Sequence, residues 1–112
     1  MPFKATGIRD LQVFEPRVFA DSRGYFFESF NKQTFEEAGI ATTFVQDNES
    51  RSNKGVVRGL HYQHEPFAQA KLVRVVAGRV LDIALDIRKG SPTFGKYFSI
   101  ELSAENKLQL YI

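Results

Sequence analysis

A chain of 112 residues, 43% hydrophobic and 25% charged, has room for one core, which predicts a single domain over residues 1–112 and excludes a disordered or fibrous protein. Lys and Arg exceed Asp and Glu by only two, and the charges are scattered without a run of one sign, so the basic pI of about 9.0 does not make a nucleic-acid interface. Cysteine is absent, which rules out disulfides and thiolate chemistry; with no apolar run of membrane-spanning length and no signal-peptide pattern at Met1–Thr6, the expected location is cytoplasmic, with no membrane partner.

Phe3–Val13 mixes polar and apolar residues and reads as an edge strand with Leu11 and Val13 on one side. In Phe14–Phe19, Pro16 cannot donate to a sheet ladder and marks an edge or a boundary. Asp21-Ser22-Arg23-Gly24 is a turn, the Asp supplying local hydrogen bonds and the Gly backbone freedom. Tyr25–Phe30 follows as a strand, with Tyr25 and Phe27 on one face and Phe26, Glu28 and Phe30 on the other. Glu28 is therefore expected among aromatic residues on a buried face, either reaching water at the strand edge or accepting a hydrogen bond from a ligand. In Asn31–Gly39 the period changes. Thr34 and Glu37 have capping-box spacing and Gly39 is a stop, so a short surface helix is expected. Ala41–Asp47 is strand-like again, and Gln46–Gly55 is a dense polar loop.

Val56–Gly78 concentrates the chemistry. Two β-rich runs, Val56–Gln63 and Lys71–Val76, flank a loop centred on Pro66 and predict a strand pair with a long connection. Arg58, His61 and Lys71 lie within those runs, where a half-buried strand tolerates such groups only if they are paired, solvated or lining a cavity. An imidazole exchanges a proton near neutrality, so His61 suits general acid or base work, with a core histidine satisfied by backbone groups as the alternative. Lys71 can offer an ammonium to a developing oxyanion, the alternative being an ordinary strand-end lysine. A metal site is not expected. His61 and His64 are three positions apart where neighbours on one strand face are two apart, position 63 is Gln, and Lys71 would repel a cation.

Arg79–Arg88 alternates, with Val80, Asp82, Ala84 and Asp86 on one side and Leu81, Ile83, Leu85 and Ile87 on the other. Gly90-Ser91-Pro92 marks a loop over Arg88–Gly95, Lys96–Leu102 is a strand, Ser103–Lys107 a polar turn, and Leu108–Ile112 begins a further strand. That last segment, apolar and β-prone, would leave an exposed edge, from which a truncated chain is expected. Short antiparallel strands at intervals of roughly ten residues with one short surface helix predict an all-β sandwich or jelly roll.

Several motifs then agree in order. Val57-Arg58-Gly59-Leu60-His61-Tyr62-Gln63, preceded by Phe44-Val45-Gln46-Asp47-Asn48 and Ser50-Arg51-Ser52, is followed by Lys71-Leu72-Val73-Arg74-Val75 and Gly90-Ser91-Pro92-Thr93-Phe94-Gly95. Together they resemble the dTDP-4-dehydrorhamnose 3,5-epimerase family, whose N-terminal motif is also matched by Asp21, Arg23, Gly24, Phe26 and Glu28. The resemblance implies a cupin-type jelly roll and a homodimer that converts a dTDP-linked 4-keto-6-deoxy sugar, dTDP-4-dehydro-6-deoxy-D-glucose, to dTDP-4-dehydro-L-rhamnose with no cofactor and no metal. By the same resemblance His61 is the general base. Arg23, Glu28, Gln46, Asp47, Asn48, Arg58 and Lys71 contact substrate, Arg23 and Glu28 reaching into the partner subunit's site. Lys71 would also hold the enolate oxygen. The family's proton-donating tyrosine, a further histidine and the carboxylate that orients the base match no position here; Tyr97 and Tyr111 fit neither motif nor place. The chain as given is therefore expected to lack the acid and to be inactive, and a non-catalytic, dimeric sugar-nucleotide-binding cupin is the alternative.

Overall fold

The computed structural model describes residues 2–112. In chain order the elements are β1 (Phe3–Ala5), β2 (Gln12–Phe14), β3 (Val18–Asp21), β4 (Gly24–Phe27), α1 (Lys32–Glu37), β5 (Leu72–Arg74), β6 (Arg79–Leu85), β7 (Tyr97–Ser103) and β8 (Gln109–Tyr111). All strand pairs are antiparallel. One sheet has the order β1-β2-β8-β5, and β3–β4 and β6–β7 form two separate hairpins.

Alternation along the strands gives the four-stranded sheet two apolar faces. Val13, Leu110 and Val73 stand in register across β2, β8 and β5. Their face, with Leu11, packs against Leu102, Ala84, Phe98 and Ile100 of the β6–β7 hairpin, which makes a sandwich of sheet on hairpin. The opposite face presents Phe3, Phe14, Leu72 and Tyr111 and is closed by Phe35 of α1 together with Ile40. Phe3, Phe14, Phe30 and Phe35 meet at ring-centroid separations between 4.7 and 5.0 Å, and burying the Phe35 ring stabilises this face by about 1.5–3 kcal/mol.

The helix is present, but its cap differs from the expected one. Asn31, extended at φ −144° and ψ 119°, accepts the Thr34 backbone N–H at 3.1 Å, so the helix starts ahead of Thr34 and the Thr34–Glu37 spacing is interior. Gly39, at φ 86°, ends it as read, its N–H donating to the Glu36 carbonyl.

Three expectations are corrected. Val56–Gln63 and Ala41–Asp47 form no strand, and Lys71–Val76 contributes only Leu72–Arg74, which pairs with β8. Strand propensity is realised only beside a neighbouring ladder, and Val57, 90% exposed, has none. The closing segment is not an edge: β8 lies between β2 and β5, and Leu110 is 0% exposed. Glu28 is not on a buried face; β4 ends at Phe27 and Glu28 is exposed beyond it.

The β6–β7 connection is built on Asp86, whose buried carboxylate accepts from the Arg88 backbone N–H and Nε at 3.0 Å each, from Arg88 Nη2 at 3.2 Å, from Ser91 Oγ at 2.6 Å and from Thr93 Oγ1. Arg88 in turn reaches Asp10 Oδ2 at 3.3 Å and the Arg9 carbonyl at 3.0 Å, clasping this loop to the turn before β2. The Arg88 guanidinium first, then the Ser91 and Thr93 hydroxyls, hold the Asp86 carboxyl far below the usual carboxylate range. The stabilisation this gives is present above the unfolded-state pKa and is lost as pH falls towards the folded one. Asp86→Asn is expected to lower Tm by roughly 5–10 °C at neutral pH. The deficit should hold down to about pH 5 and shrink only below about pH 4, where unfolded Asp itself protonates. Thermal melts across that range check this; a deficit that grows on acidification contradicts it.

Candidate functional site

The β3–β4 hairpin turns through Ser22 and Arg23, with Gly24 at φ 135°, a conformation that favours glycine. Asp21 fixes the turn by accepting the Arg23 backbone N–H at 2.9 Å. It also takes a two-pronged bond from the guanidinium, Nε at 3.3 Å and Nη2 at 2.7 Å. The Arg23 guanidinium, then its backbone N–H, lowers the Asp21 pKa. Arg23 is thereby held at the tip. Phe19 and Phe26 face each other across the strands, 52% and 70% exposed, and the Arg17 guanidinium lies 4.7 Å from the Phe19 ring centroid. Phe19, Phe26, Ala20, Asp21 and Arg23 border an open cavity of about 360 Å³. Flat apolar faces beside an oriented guanidinium suit a ligand that joins a planar ring to an anion. The sequence marks Phe26 only as part of the matched motif and does not mark Phe19, although aromatic alternation along the hairpin carries the signal.

The remaining candidates lie on the segment before β5 and at its start. Gln46 Nε2 donates to Asn48 Oδ1 at 3.4 Å, and Asp47 between them is exposed. Arg58 turns back on its own loop, Nε donating to Ser52 Oγ at 2.9 Å and Nη2 to the Arg51 carbonyl at 3.2 Å. His61 is exposed. A Cβ added at Gly59, whose φ is 104°, would stand 3.3 Å from His61 Nδ1, so glycine there leaves room for the imidazole. Lys71 exchanges two backbone bonds with Ile112, at 2.9 and 2.8 Å, which extend the β5–β8 ladder by one residue. Among the described residues, no hydrogen bond or ion pair joins Arg58, His61 and Lys71 to one another. The expectation that the three lie on adjacent strands is corrected by the elements themselves: Arg58 and His61 sit on exposed irregular chain, Lys71 at a strand end.

Asp82 on β6 feels the charge of one of these residues, Lys71. Burial raises its pKa, opposed by the Ile83 backbone N–H and by the positive charge of Lys71. A carboxylate on the inward face of a strand that otherwise alternates with apolar residues was the available sequence signal.

The fold and these side chains define the class as an antiparallel all-β protein of cupin type, its polar groups carried on one hairpin and one long connecting segment. The sequence model of dTDP-4-dehydrorhamnose 3,5-epimerase matches residues 5–112, and the chain belongs to that family. The dTDP-4-dehydrorhamnose 3,5-epimerase of Shigella flexneri is 64% identical over 108 residues, which are 96% of this chain and 60% of the relative. Two solved structures align over 98% of this chain. One, from Legionella pneumophila in complex with dTDP-4-keto-L-rhamnose, is 53% identical with a TM-score of 0.92 and is covered over 58% of its length. The other, from Bacillus anthracis with TDP and PPi bound, is 44% identical with a TM-score of 0.94 and is covered over 63%. The chain thus spans about three fifths of the length of the relatives it matches.

Because burial lifts the folded pKa of Asp82 above its unfolded value, the cost of its ionised form is present at high pH and disappears as pH falls through the folded pKa. Asp82→Asn is expected to raise Tm by roughly 2–5 °C near pH 8 and to leave it unchanged near pH 3. Coincident melts of the two proteins at the higher pH would disprove this.

Proposed function

We propose that the protein is a cofactor-independent dTDP-4-dehydrorhamnose 3,5-epimerase, a single-domain isomerase acting as a cytoplasmic homodimer on dTDP-4-dehydro-6-deoxy-D-glucose. The observation that carries this reading is the similarity to the Legionella enzyme that holds dTDP-4-keto-L-rhamnose, together with the ordered match of site motifs through residues 21–28, 44–52, 57–63 and 71–75.

The chemistry follows from the C4 ketone, which acidifies the hydrogens on C3 and C5. His61 takes a proton from carbon, the electron pair moves into the enolate, and the Lys71 ammonium stabilises the negative oxygen. Return of a proton to the opposite face inverts each centre; the tyrosine that gives it in the family matches no position among these 112 residues, so they carry the base and the oxyanion cation while the acid has to come from outside them. Arg23, presented at the hairpin tip by Asp21, and Arg58 suit the diphosphate, the planar guanidinium fork matching two phosphate oxygens. Glu28, Gln46, Asp47 and Asn48 supply acceptors and donors for sugar and base. Phe19 and Phe26 offer a stacking surface for the thymine ring.

Incubating full-length protein with substrate in deuterated water is expected to place deuterium at C3 and C5. His61→Ala should abolish that exchange, and Lys71→Ala should slow it roughly 10²- to 10³-fold while leaving the base in place. Substrate binding without deuterium entry would instead identify a non-catalytic sugar-nucleotide-binding protein.

A further inference from the structure

The β3–β4 hairpin carries Arg23 at its tip and Glu28 at its exit, yet its strands pair only with each other. No ladder bond among the described residues joins it to the four-stranded sheet. Phe30, stacked on Phe35 at 4.7 Å, anchors the chain beyond it. Two polar side chains from the short segment that leads into and begins β8 reach the hairpin and the chain just beyond it.

Lys107 places its Nζ 4.2 Å from the Tyr25 ring centroid. The same ammonium donates to the Ala104 and Glu105 carbonyls at 3.2 Å each, so its position over the ring is set by its own turn and not by the hairpin. Gln109, 1% exposed, donates from Nε2 to the Ser29 carbonyl at 3.0 Å, next to Glu28 and across 80 positions of sequence. A carbonyl only accepts, so this bond fixes which way the amide points and leaves Gln109 Oε1 buried without a donor. A polar side chain this deeply buried, satisfied on one side alone, points to the Ser29 bond as its reason for being there. A cavity of about 110 Å³ separates Tyr25 and Phe27 from Arg74, Val75 and Ala104. Across that gap the two polar contacts supplement whatever packing holds the hairpin.

We infer that Lys107 and Gln109 are positioning residues: they dock the β3–β4 hairpin on the sheet and so place Arg23 and Glu28 for substrate. The inference rests on the proposed function for what Arg23 and Glu28 contact, but the docking itself can be read without any substrate.

The test pairs amide hydrogen exchange, read by mass spectrometry on the full-length protein, with kinetics on the dTDP-linked keto sugar. Lys107→Met and Gln109→Leu are expected to speed exchange in residues 18–29 by about threefold or more, with β2, β5 and β6 at wild-type rates. They should also raise KM about tenfold with kcat within about twofold, because substrate placement is lost and the base is untouched. Lys107→Arg, which keeps a cation over the ring, should behave as wild type in both measurements. Unchanged exchange in residues 18–29, or exchange speeded equally in every strand, overturns the inference, as does a kcat loss with unchanged KM. If Gln109→Leu does not fold, Lys107→Met and its arginine control decide. A wild-type protein that turns over no substrate counts against the proposed function alone, and the exchange pattern still settles the docking.

Discussion

The pairing of Gln109–Tyr111 with both Gln12–Phe14 and Leu72–Arg74 is the constraint on which the rest of the molecule depends. Seated between β2 and β5, β8 gives the sheet a centre and buries Leu110 on one face, while Tyr111 and Gln109 serve the other. Its continuation, the paired backbones of Lys71 and Ile112, fixes the point at which Lys71 leaves the sheet. The side chain of Gln109 ties the chain behind Glu28. One three-residue strand therefore joins the core to two separate parts of the candidate site, through pairings that span most of the sequence.

Several of the chemically capable residues are arranged by near neighbours in the chain. Arg23 is held by the carboxylate two residues earlier, Arg58 by Ser52 and the Arg51 carbonyl, and Gln46 by Asn48. Local restraint of this kind lowers the side-chain entropy lost when an anion is bound. The Asp86 clasp is the same principle applied to structure: a buried carboxylate gathers the loop after β6 and, through Arg88, pins it to Asp10.

Elements encoded by short-range signals were legible in the sequence. The turn at Asp21–Gly24, the helix stopped by Gly39 and the alternating strands β6 and β7 all formed where read, their ends within about three residues. What failed needed distant partners. Val56–Gln63 has strand composition but no neighbouring ladder, and the central place of β8 follows from a register that no local pattern encodes. At the site, the motifs picked out Arg58, His61 and Lys71 as candidates but not that the first two would lie on irregular chain, because that segment has no ladder partner of its own. Asp86 looked like any acid on an alternating strand, because its partners Arg88, Ser91 and Thr93 come together only when the loop closes.

The place of β8 in the sheet also bears on biosynthesis. A ribosome delivers Gln12–Phe14 early and Leu72–Arg74 much later, and neither edge finds its hydrogen-bonding neighbour until Tyr111 has left the exit tunnel. Through all of that translation the nascent chain displays unpaired strand edges beside exposed aromatic rings, the combination on which holdase chaperones act and from which aggregates begin. Soluble accumulation of the protein thus depends on how well those edges are shielded until β8 slots between them.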